Sequence, residues 1–160
     1  MADRIELCYP GFLKKAVTFS IDDGNLKYDG MMLDILRPAG IKGTFNLCAP
    51  KPEMTGEDYR KMYMGYEIAN HTLLHPHAFA DGVEYKVSDE IYDPENRDPE
   101  YIYRHKDNPK LYYFCRRDDR WRLITDADTY IEGIDECKAR LEEIFGEGSV
   151  RGFEIGRAHV

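Results

Sequence analysis

Near its N-terminus the chain reads Ala16-Val17-Thr18-Phe19-Ser20-Ile21-Asp22-Asp23-Gly24, an apolar run that ends in two acids and a glycine. The β-branched and aromatic residues of this run predict a first strand over Lys15–Ile21. A glycine permits a sharp turn after a strand, so both carboxylates can approach one cavity from different directions. We therefore expect one acid to bind a metal ion while the other stays free as a base.

A second polar motif follows a second short apolar run. Gly65-Tyr66-Glu67-Ile68-Ala69-Asn70 predicts a strand over Tyr66–Asn70, and His71-Thr72-Leu73-Leu74-His75 comes next. Histidines four residues apart share one face if a helix or turn begins there. One Asp with two His leaves an open position for water, as a catalytic zinc site requires. Each motif alone is more often a turn or a pair of ordinary histidines, but together they indicate one metal site for amide or ester hydrolysis.

Between the two motifs, apolar residues at helical spacing predict a helix over Tyr28–Leu36. Its expected apolar stripe is Tyr28, Met31, Met32, Ile35 and Leu36. Pro38 and Gly40 are expected to end this helix, because proline cannot continue it and glycine accepts a left-handed backbone.

A second strand is predicted over Lys42–Leu47. Thr55, with Asp58 three residues later, resembles a capping box and predicts a helix that reaches Met64. Strands that alternate with helices predict parallel β/α units, whose sites gather at the carboxyl ends of the strands. Both polar motifs lie at such ends. Asn70 or Glu67 is a candidate to orient a metal ligand, although core or edge structure is the more ordinary role for both.

The pattern changes after His77. Asp93–Pro99 is rich in turn-forming residues and predicts a loop. Leu111–Cys115 and Trp121–Ile124 predict two strands of a hairpin, with Arg116–Arg120 as its turn. We interpret the hairpin as an insertion over the site. Its aromatic residues would either line a groove for sugar rings or, as is more ordinary, pack a small core of their own.

A last helix is predicted over Asp126–Phe145, with Thr125 and Asp128 as its N-terminal cap and Gly146 after its end. Its expected buried stripe is Ile131, Ile134, Leu141, Ile144 and Phe145. Val150-Arg151-Gly152-Phe153 then predicts a further strand.

The two polar motifs, in this order, resemble those of the NodB-homology polysaccharide deacetylases, carbohydrate esterase family four. The family's first motif, Thr-Phe-Asp-Asp-Gly-Pro, stands here as Ser20-Ile21-Asp22-Asp23-Gly24-Asn25. The second, His-Ser/Thr-x-x-His, is matched by His71, Thr72 and His75. Val150–Phe153 is similar to the strand that opens the family's third motif, but no proline follows it, and no downstream Leu-His is present.

The resemblance implies that Asp22 is the general base and that Asp23, His71 and His75 hold a divalent metal ion, zinc being the first choice. It implies a metal-dependent hydrolase that removes acetyl groups from N-acetylated or O-acetylated carbohydrate, with water on the metal attacking the carbonyl. The family's general acid would lie downstream, so the resemblance implies that this fragment alone is inactive. His77 is a less favoured candidate for an extra ligand or acid, because Pro76 turns the chain before it.

The implied fold is α/β, a partial (β/α) barrel truncated at its C-terminus with an inserted β-hairpin. We expect a single, incomplete domain over residues 1–154, with residues 78–125 as the inserted loop and hairpin. Residues 155–160 are expected to be translated sequencing adapter, since Glu154-Ile155-Gly156-Arg157-Ala158-His159-Val160 corresponds to a common adapter sequence. His159 is therefore not taken as the missing acid.

Two other functions stay open. One is hydrolysis of another non-peptide C–N bond, such as that of a small cyclic amide. The other is binding of carbohydrate without turnover, for which the departures from the family motif at Ser20, Ile21 and Asn25 leave room.

Composition limits the partners. The net charge of −8 argues against nucleic acid and anionic membrane, because both require a basic surface. The sequence shows neither a span long enough to cross a bilayer nor a secretory signal at its start, so we expect a cytoplasmic location. The four widely spaced cysteines are expected to be free, structural thiols. Acetylated carbohydrate, which the resemblance implies, or a small amide is the expected substrate.

Overall fold

A computed structural model describes residues 15–155. Within this range the chain is a mixed α/β structure with three helices and two sheets. Its elements are β1 (Ser20–Ile21), α1 (Leu26–Leu36), β2 (Thr44–Leu47), α2 (Gly56–Met62), β3 (Glu67–Asn70), β4 (His77–Ala78), β5 (Lys86–Ile91), β6 (Tyr101–Arg104), β7 (Tyr112–Cys115), β8 (Trp121–Thr125), α3 (Ala127–Phe145) and β9 (Gly152–Phe153). Cys8, His159 and the expected adapter segment other than Ile155 lie outside the described residues.

The first sheet is parallel, with strand order β1-β2-β3-β9. Its first three strands alternate along the chain with α1 and α2, which confirms the predicted β/α units. β2 and β3 pair over four residues, from Thr44 with Glu67 to Leu47 with Asn70. β1 is much shorter than the predicted Lys15–Ile21 because only Ser20 and Ile21 pair with β2. The carboxyl ends of all these strands lie along one edge of the sheet.

The core lies between this sheet and the three helices. Phe45 and Leu47 of β2 are buried, as are Tyr63 after α2 and Leu141 of α3. The Phe45 and Tyr63 rings meet edge to face at 5.1 Å. Each large side chain buried in this way contributes about 1.5–3 kcal/mol to stability, so the packing fixes how the strand ends stand relative to one another.

The predicted stripe of α1 is partly wrong. Asn25 caps the helix, accepting a hydrogen bond from the Tyr28 backbone N–H, so α1 begins at Leu26, two residues earlier than predicted. The buried face consists of Asp29, Leu33 and Leu36. Tyr28, Met31 and Ile35 of the predicted stripe are exposed. Apolar residues lie on both faces of this helix, so spacing alone could not identify the buried one.

The predictions for the other two helices differ in outcome. The capping box of Thr55 and Asp58 is confirmed. For α3 the cap is Asp126 rather than Thr125, because Thr125 is the last residue of β8 and its hydroxyl donates to the Lys110 carbonyl. Ile131, predicted to be buried, is 56% exposed.

The buried residues of α3 are Tyr130, Cys137 and Leu141. Gly146 follows the helix end, as predicted.

The second sheet has the order β4-β8-β7-β6-β5. The predicted hairpin is present as the antiparallel pair β7 and β8, whose turn is closed by a hydrogen bond from the Arg116 N–H to the Arg120 carbonyl. The sequence did not predict β4, β5 or β6. Residues 92–100 contain no helix or strand, which agrees with the predicted loop over Asp93–Pro99.

The aromatic residues of the second sheet pack mainly against one another. Tyr92 and Tyr113 stack at 4.0 Å, and Tyr103 and Trp121 lie 5.7 Å apart. The Arg97 guanidinium lies over the Trp121 ring at 5.3 Å. This arrangement favours the interpretation that these aromatic residues form a small core of their own.

No helix in residues 15–155 is long and apolar enough to cross a membrane.

Candidate metal centre

The two polar motifs meet at one edge of the parallel sheet. Asp22 and Asp23 follow β1, and His71 follows β3, with β2 between the two strands. Both acids are exposed, whereas His71 is 1% exposed. The candidate site therefore has one buried ligand and an acidic side that is open to solvent.

The backbone at both motifs is in the left-handed region. Asp23 has φ 75° and Gly24 has φ 60°, which produces the sharp turn after β1. Thr72 has φ 67° and His75 has φ 52°, so the histidine motif forms a bend rather than a helix. Positive φ costs an L-residue about 1–2 kcal/mol and is concentrated at functional sites. The bend brings the His71 and His75 rings to a centroid distance of 4.5 Å.

The Asp23 carboxylate points toward both imidazoles. Its Oδ1 lies 3.5 Å from His71 Nε2 and 3.6 Å from His75 Nε2. Both distances are long for a charge-assisted hydrogen bond. Ligands held at 2.0–2.2 Å from a tetrahedral zinc ion are themselves about 3.3–3.6 Å apart. The spacing and the donor set of one carboxylate and two imidazoles therefore fit a zinc ion.

His71 is oriented by its surroundings. Its backbone N–H donates to the Leu47 carbonyl at 2.9 Å. Its Nδ1 lies 2.8 Å from Glu154 Oε2 and 3.1 Å from the Glu154 carbonyl oxygen. When Nδ1 carries the proton and donates to Glu154, Nε2 keeps its lone pair for a metal ion, and carboxylates commonly orient metal-binding histidines in this way.

Two groups of side chains have ligand atoms that all lie within 4.8 Å of one another. The first is Asp23, His71 and His75, and the second is Asp22, His71 and Glu154. The two groups differ in their closest pair. In the second group His71 Nδ1 and Glu154 Oε2 are at 2.8 Å, a hydrogen-bond distance shorter than the ligand spacing around zinc. Asp23, His71 and His75 are thus the better candidate ligands.

The bend that carries the histidines is tied to the rest of the fold. Asn70 accepts a hydrogen bond from the Thr72 N–H at 2.9 Å and donates from Nδ2 to the Ile134 carbonyl on α3 at 2.7 Å. The Thr72 hydroxyl in turn accepts from the His75 N–H at 3.0 Å. Asn70 therefore holds the ligand loop against α3. Glu67, the other candidate named from the sequence, accepts from Thr44 Oγ1 at the opposite end of β3.

Sequence reasoning missed Asn46. This residue of β2 is 2% exposed, and its Nδ2 donates to Asp22 Oδ1 at 2.6 Å and to Ser20 Oγ at 2.7 Å. The available signal was a polar residue between Phe45 and Leu47, inside an otherwise apolar strand.

His77 lies on β4 in the second sheet, where its ring contacts Phe114 edge to face at 5.3 Å. The structure does not bring it into either group of candidate ligands found within residues 15–155.

The thiols near the site are suited to structural roles. Cys48, Cys115 and Cys137 are free cysteines, in agreement with the sequence prediction. The Cys48 thiol donates to the His71 carbonyl at 3.4 Å. Burial raises the pKa of Cys48 to about 12 and that of Cys137 to about 11. Both therefore remain neutral thiols near pH 7, and neutral thiols are poor metal ligands.

Comparison with known proteins identifies the family. A family model described as polysaccharide deacetylase matches residues 11–157. The searches of curated proteins and of solved structures find no match. Since the family model covers nearly the whole chain, including both polar motifs and the strand that follows α3, this chain belongs to the polysaccharide deacetylase family.

Proposed function

We propose that this chain is a metal-dependent hydrolase that removes acetyl groups from N-acetylated or O-acetylated carbohydrate. The observation that carries the proposal is the position of Asp23 Oδ1, 3.5 Å and 3.6 Å from two imidazole nitrogens, beside a second acid that has a different partner. Membership of the polysaccharide deacetylase family supports the reaction class.

Asp23, His71 and His75 are the proposed ligands, and Asp22 is the proposed base. A divalent cation, zinc by this ligand set, would polarise the acetyl carbonyl and lower the pKa of a water molecule when bound. Asp22 is exposed and borders the ligand group, so its carboxylate can take a proton from an attacking water. The protonated Asp22 carboxyl can then return that proton to the leaving nitrogen or oxygen. On this proposal one residue serves both steps, and the chain is active without the downstream acid that the resemblance implies.

We further propose that the parallel sheet is an arc of a (β/α) barrel, with residues 78–125 as an insertion. The order β1-β2-β3-β9, with intervening helices, supports this topology. The second sheet supports the insertion, because it is built entirely from strands between β3 and α3.

Isothermal titration with zinc chloride, together with acetate release from an N-acetylated oligosaccharide, tests the function. We expect wild-type chain to bind one zinc ion and to release acetate only when loaded. His75→Ala should weaken zinc binding by about 10-fold or more, because it removes one of three protein ligands. His105→Ala is the matched control, since His105 stacks on Tyr113 in the second sheet.

Equal zinc affinity in wild type and His75→Ala would contradict the ligand assignment. Hydrolysis of small cyclic amides without acetate release would instead favour the second enzymatic function. Sugar binding without any turnover by loaded chain would favour the non-catalytic function.

A further inference from the structure

Asn46 is a buried polar residue in the central part of the parallel sheet. Its neighbours Phe45 and Leu47 are almost completely buried in the core, and Asn46 itself is 2% exposed. An amide buried among apolar side chains is costly unless its hydrogen bonds are made. The contacts of the Asn46 side chain therefore indicate what it does.

The Asn46 amide makes two hydrogen bonds from one nitrogen. Nδ2 donates to Ser20 Oγ at 2.7 Å and to Asp22 Oδ1 at 2.6 Å, which uses both of its hydrogens. A carboxylate oxygen is a hydrogen-bond acceptor, so the amide nitrogen, which donates, is the atom of Asn46 that faces Asp22.

The strand register explains why this contact forms. Ile21 of β1 is paired with Phe45 of β2, so Asn46 stands beside the point where the chain leaves β1. Asp22 itself is exposed. A rigid, buried donor thus holds a solvent-facing carboxylate.

We propose that Asn46 is a positioning residue for Asp22, a role that rests on the proposed function of Asp22 as the base. The bond to Oδ1 fixes the carboxylate plane. It leaves Oδ2 as the oxygen that takes the proton. Ser20 supports this arrangement by occupying the second hydrogen of the amide, so that Nδ2 cannot rotate away from Asp22.

Two variants test the role in the full chain. Asn46→Leu removes both hydrogen bonds and keeps the branching of the side chain, although its two methyl groups are larger than the amide oxygen and nitrogen. Asn46→Asp keeps the shape but places an acceptor where Asp22 needs a donor. Misplacement of a catalytic group by about 1 Å can cost 100-fold, so both variants should lower kcat by about 10-fold to 100-fold. KM and the zinc dissociation constant should change by no more than about twofold, because the two side-chain hydrogen bonds of Asn46 go to Ser20 and Asp22 rather than to a proposed ligand.

Asn96→Leu is the matched control, since Asn96 is exposed in the loop between β5 and β6 and should leave all three quantities unchanged. A folded Asn46→Leu or Asn46→Asp protein with a kcat within about twofold of wild type would overturn the proposal. A parallel loss of zinc affinity would also overturn it, because the residue would then support the metal site as a whole.

Crystal structures of wild type and Asn46→Leu separate this proposal from the proposed function. We expect the Asp22 carboxylate to leave its position in the variant. If wild type releases no acetate, the proposed function fails, and the Asp22 position alone then decides whether Asn46 holds it. An unchanged Asp22 in Asn46→Leu overturns the inference whatever the activity.

Discussion

Asp22 and Asp23 are adjacent in the chain, yet the structure gives them different surroundings. The positive φ of Asp23 turns the backbone after β1. Asp22 consequently faces Asn46 on the neighbouring strand, while Asp23 faces the two imidazoles. The left-handed backbone at Asp23 thus points the two carboxylates in different directions. Asp22 can therefore serve as the base while Asp23 serves as a ligand.

This separation predicts different defects for the two Asp→Asn variants. Asp22→Asn should abolish acetate release, because an amide cannot take the proton from water. The zinc affinity should stay within about twofold of wild type, because Asp22 is not a proposed ligand. Asp23→Asn should weaken zinc binding by about 10-fold or more, since it removes a charged ligand. Titration calorimetry and acetate release measure both effects. Equal losses of zinc affinity in the two variants would contradict the assigned roles.

Asp29 in α1 predicts a pH dependence of stability. The residue is buried, and burial raises the pKa of its carboxyl above the ordinary 3.8, despite the hydrogen bond donated by the Tyr63 hydroxyl. The folded state therefore keeps this proton at higher pH than the unfolded chain does. The stability contributed by Asp29 is full below the unfolded pKa and is lost as pH rises through the raised folded pKa.

Urea unfolding of wild type and Asp29→Asn over a pH series measures this contribution. The difference in free energy of unfolding, wild type minus variant, should fall with rising pH from about 4, because the asparagine does not titrate. A difference that is independent of pH would show that the raised pKa does not contribute to stability.

At the scale of elements, the caps determine where helices begin. The sequence Thr125-Asp126-Ala127-Asp128-Thr129 offers more than one cap at the start of α3, and the hydrogen bonds decide between them. Thr125 completes β8, and Asp126 accepts from the Thr129 N–H at 2.7 Å. The competition between strand and helix for Thr125 is a tertiary effect, so a local pattern could not resolve it.

Asp126→Ala should lower the free energy of unfolding by about 0.5–2 kcal/mol at pH 7, the usual cost of losing an N-cap. The hydrogen bond from the Thr129 N–H lowers the pKa of Asp126, so this cost should shrink as pH falls through the lowered pKa of the folded state. Chemical denaturation at two pH values measures the effect. Asp128→Ala, in the first turn of the same helix, is the control and should cost less, and equal costs would contradict Asp126 as the cap.

At the scale of the whole molecule, the parallel sheet was predictable and the second sheet was only partly so. β1 and β3 each end a short apolar run that is followed by a polar motif, a pattern that can be read from the local sequence. β5 lies at the edge of its sheet. Its segment Lys86–Ile91 is mostly exposed and half of its residues are charged, which protects an edge but weakens the alternating apolar pattern that predicts a strand. The candidate metal ligands were named from motifs, whereas the contact of Asn46 with Asp22 became visible only when β1 and β2 were paired.

The aromatic cluster of the second sheet is either a small core or a groove for sugar rings. Trp121 would contribute to stability in the first case and to sugar binding in the second, so its replacement distinguishes the two. The Trp121 ring lies 5.3 Å from that of Tyr92 and carries the Arg97 guanidinium. If the cluster is a small core, Trp121→Ala should lower the free energy of unfolding by at most about 3–5 kcal/mol, because the ring is only partly buried. The zinc affinity should not change.

Thermal unfolding and titration with an N-acetylated oligosaccharide distinguish the two interpretations. Tyr101→Ala is a control outside the cluster, because Tyr101 is exposed on β6 and should cost little stability. A Trp121→Ala protein that keeps its melting temperature but loses sugar binding would instead make the cluster a sugar-binding surface. Loss of stability with intact sugar binding, by contrast, would mean that the second sheet packs as a separate layer. Substrate recognition would then lie with residues at the carboxyl ends of the parallel strands.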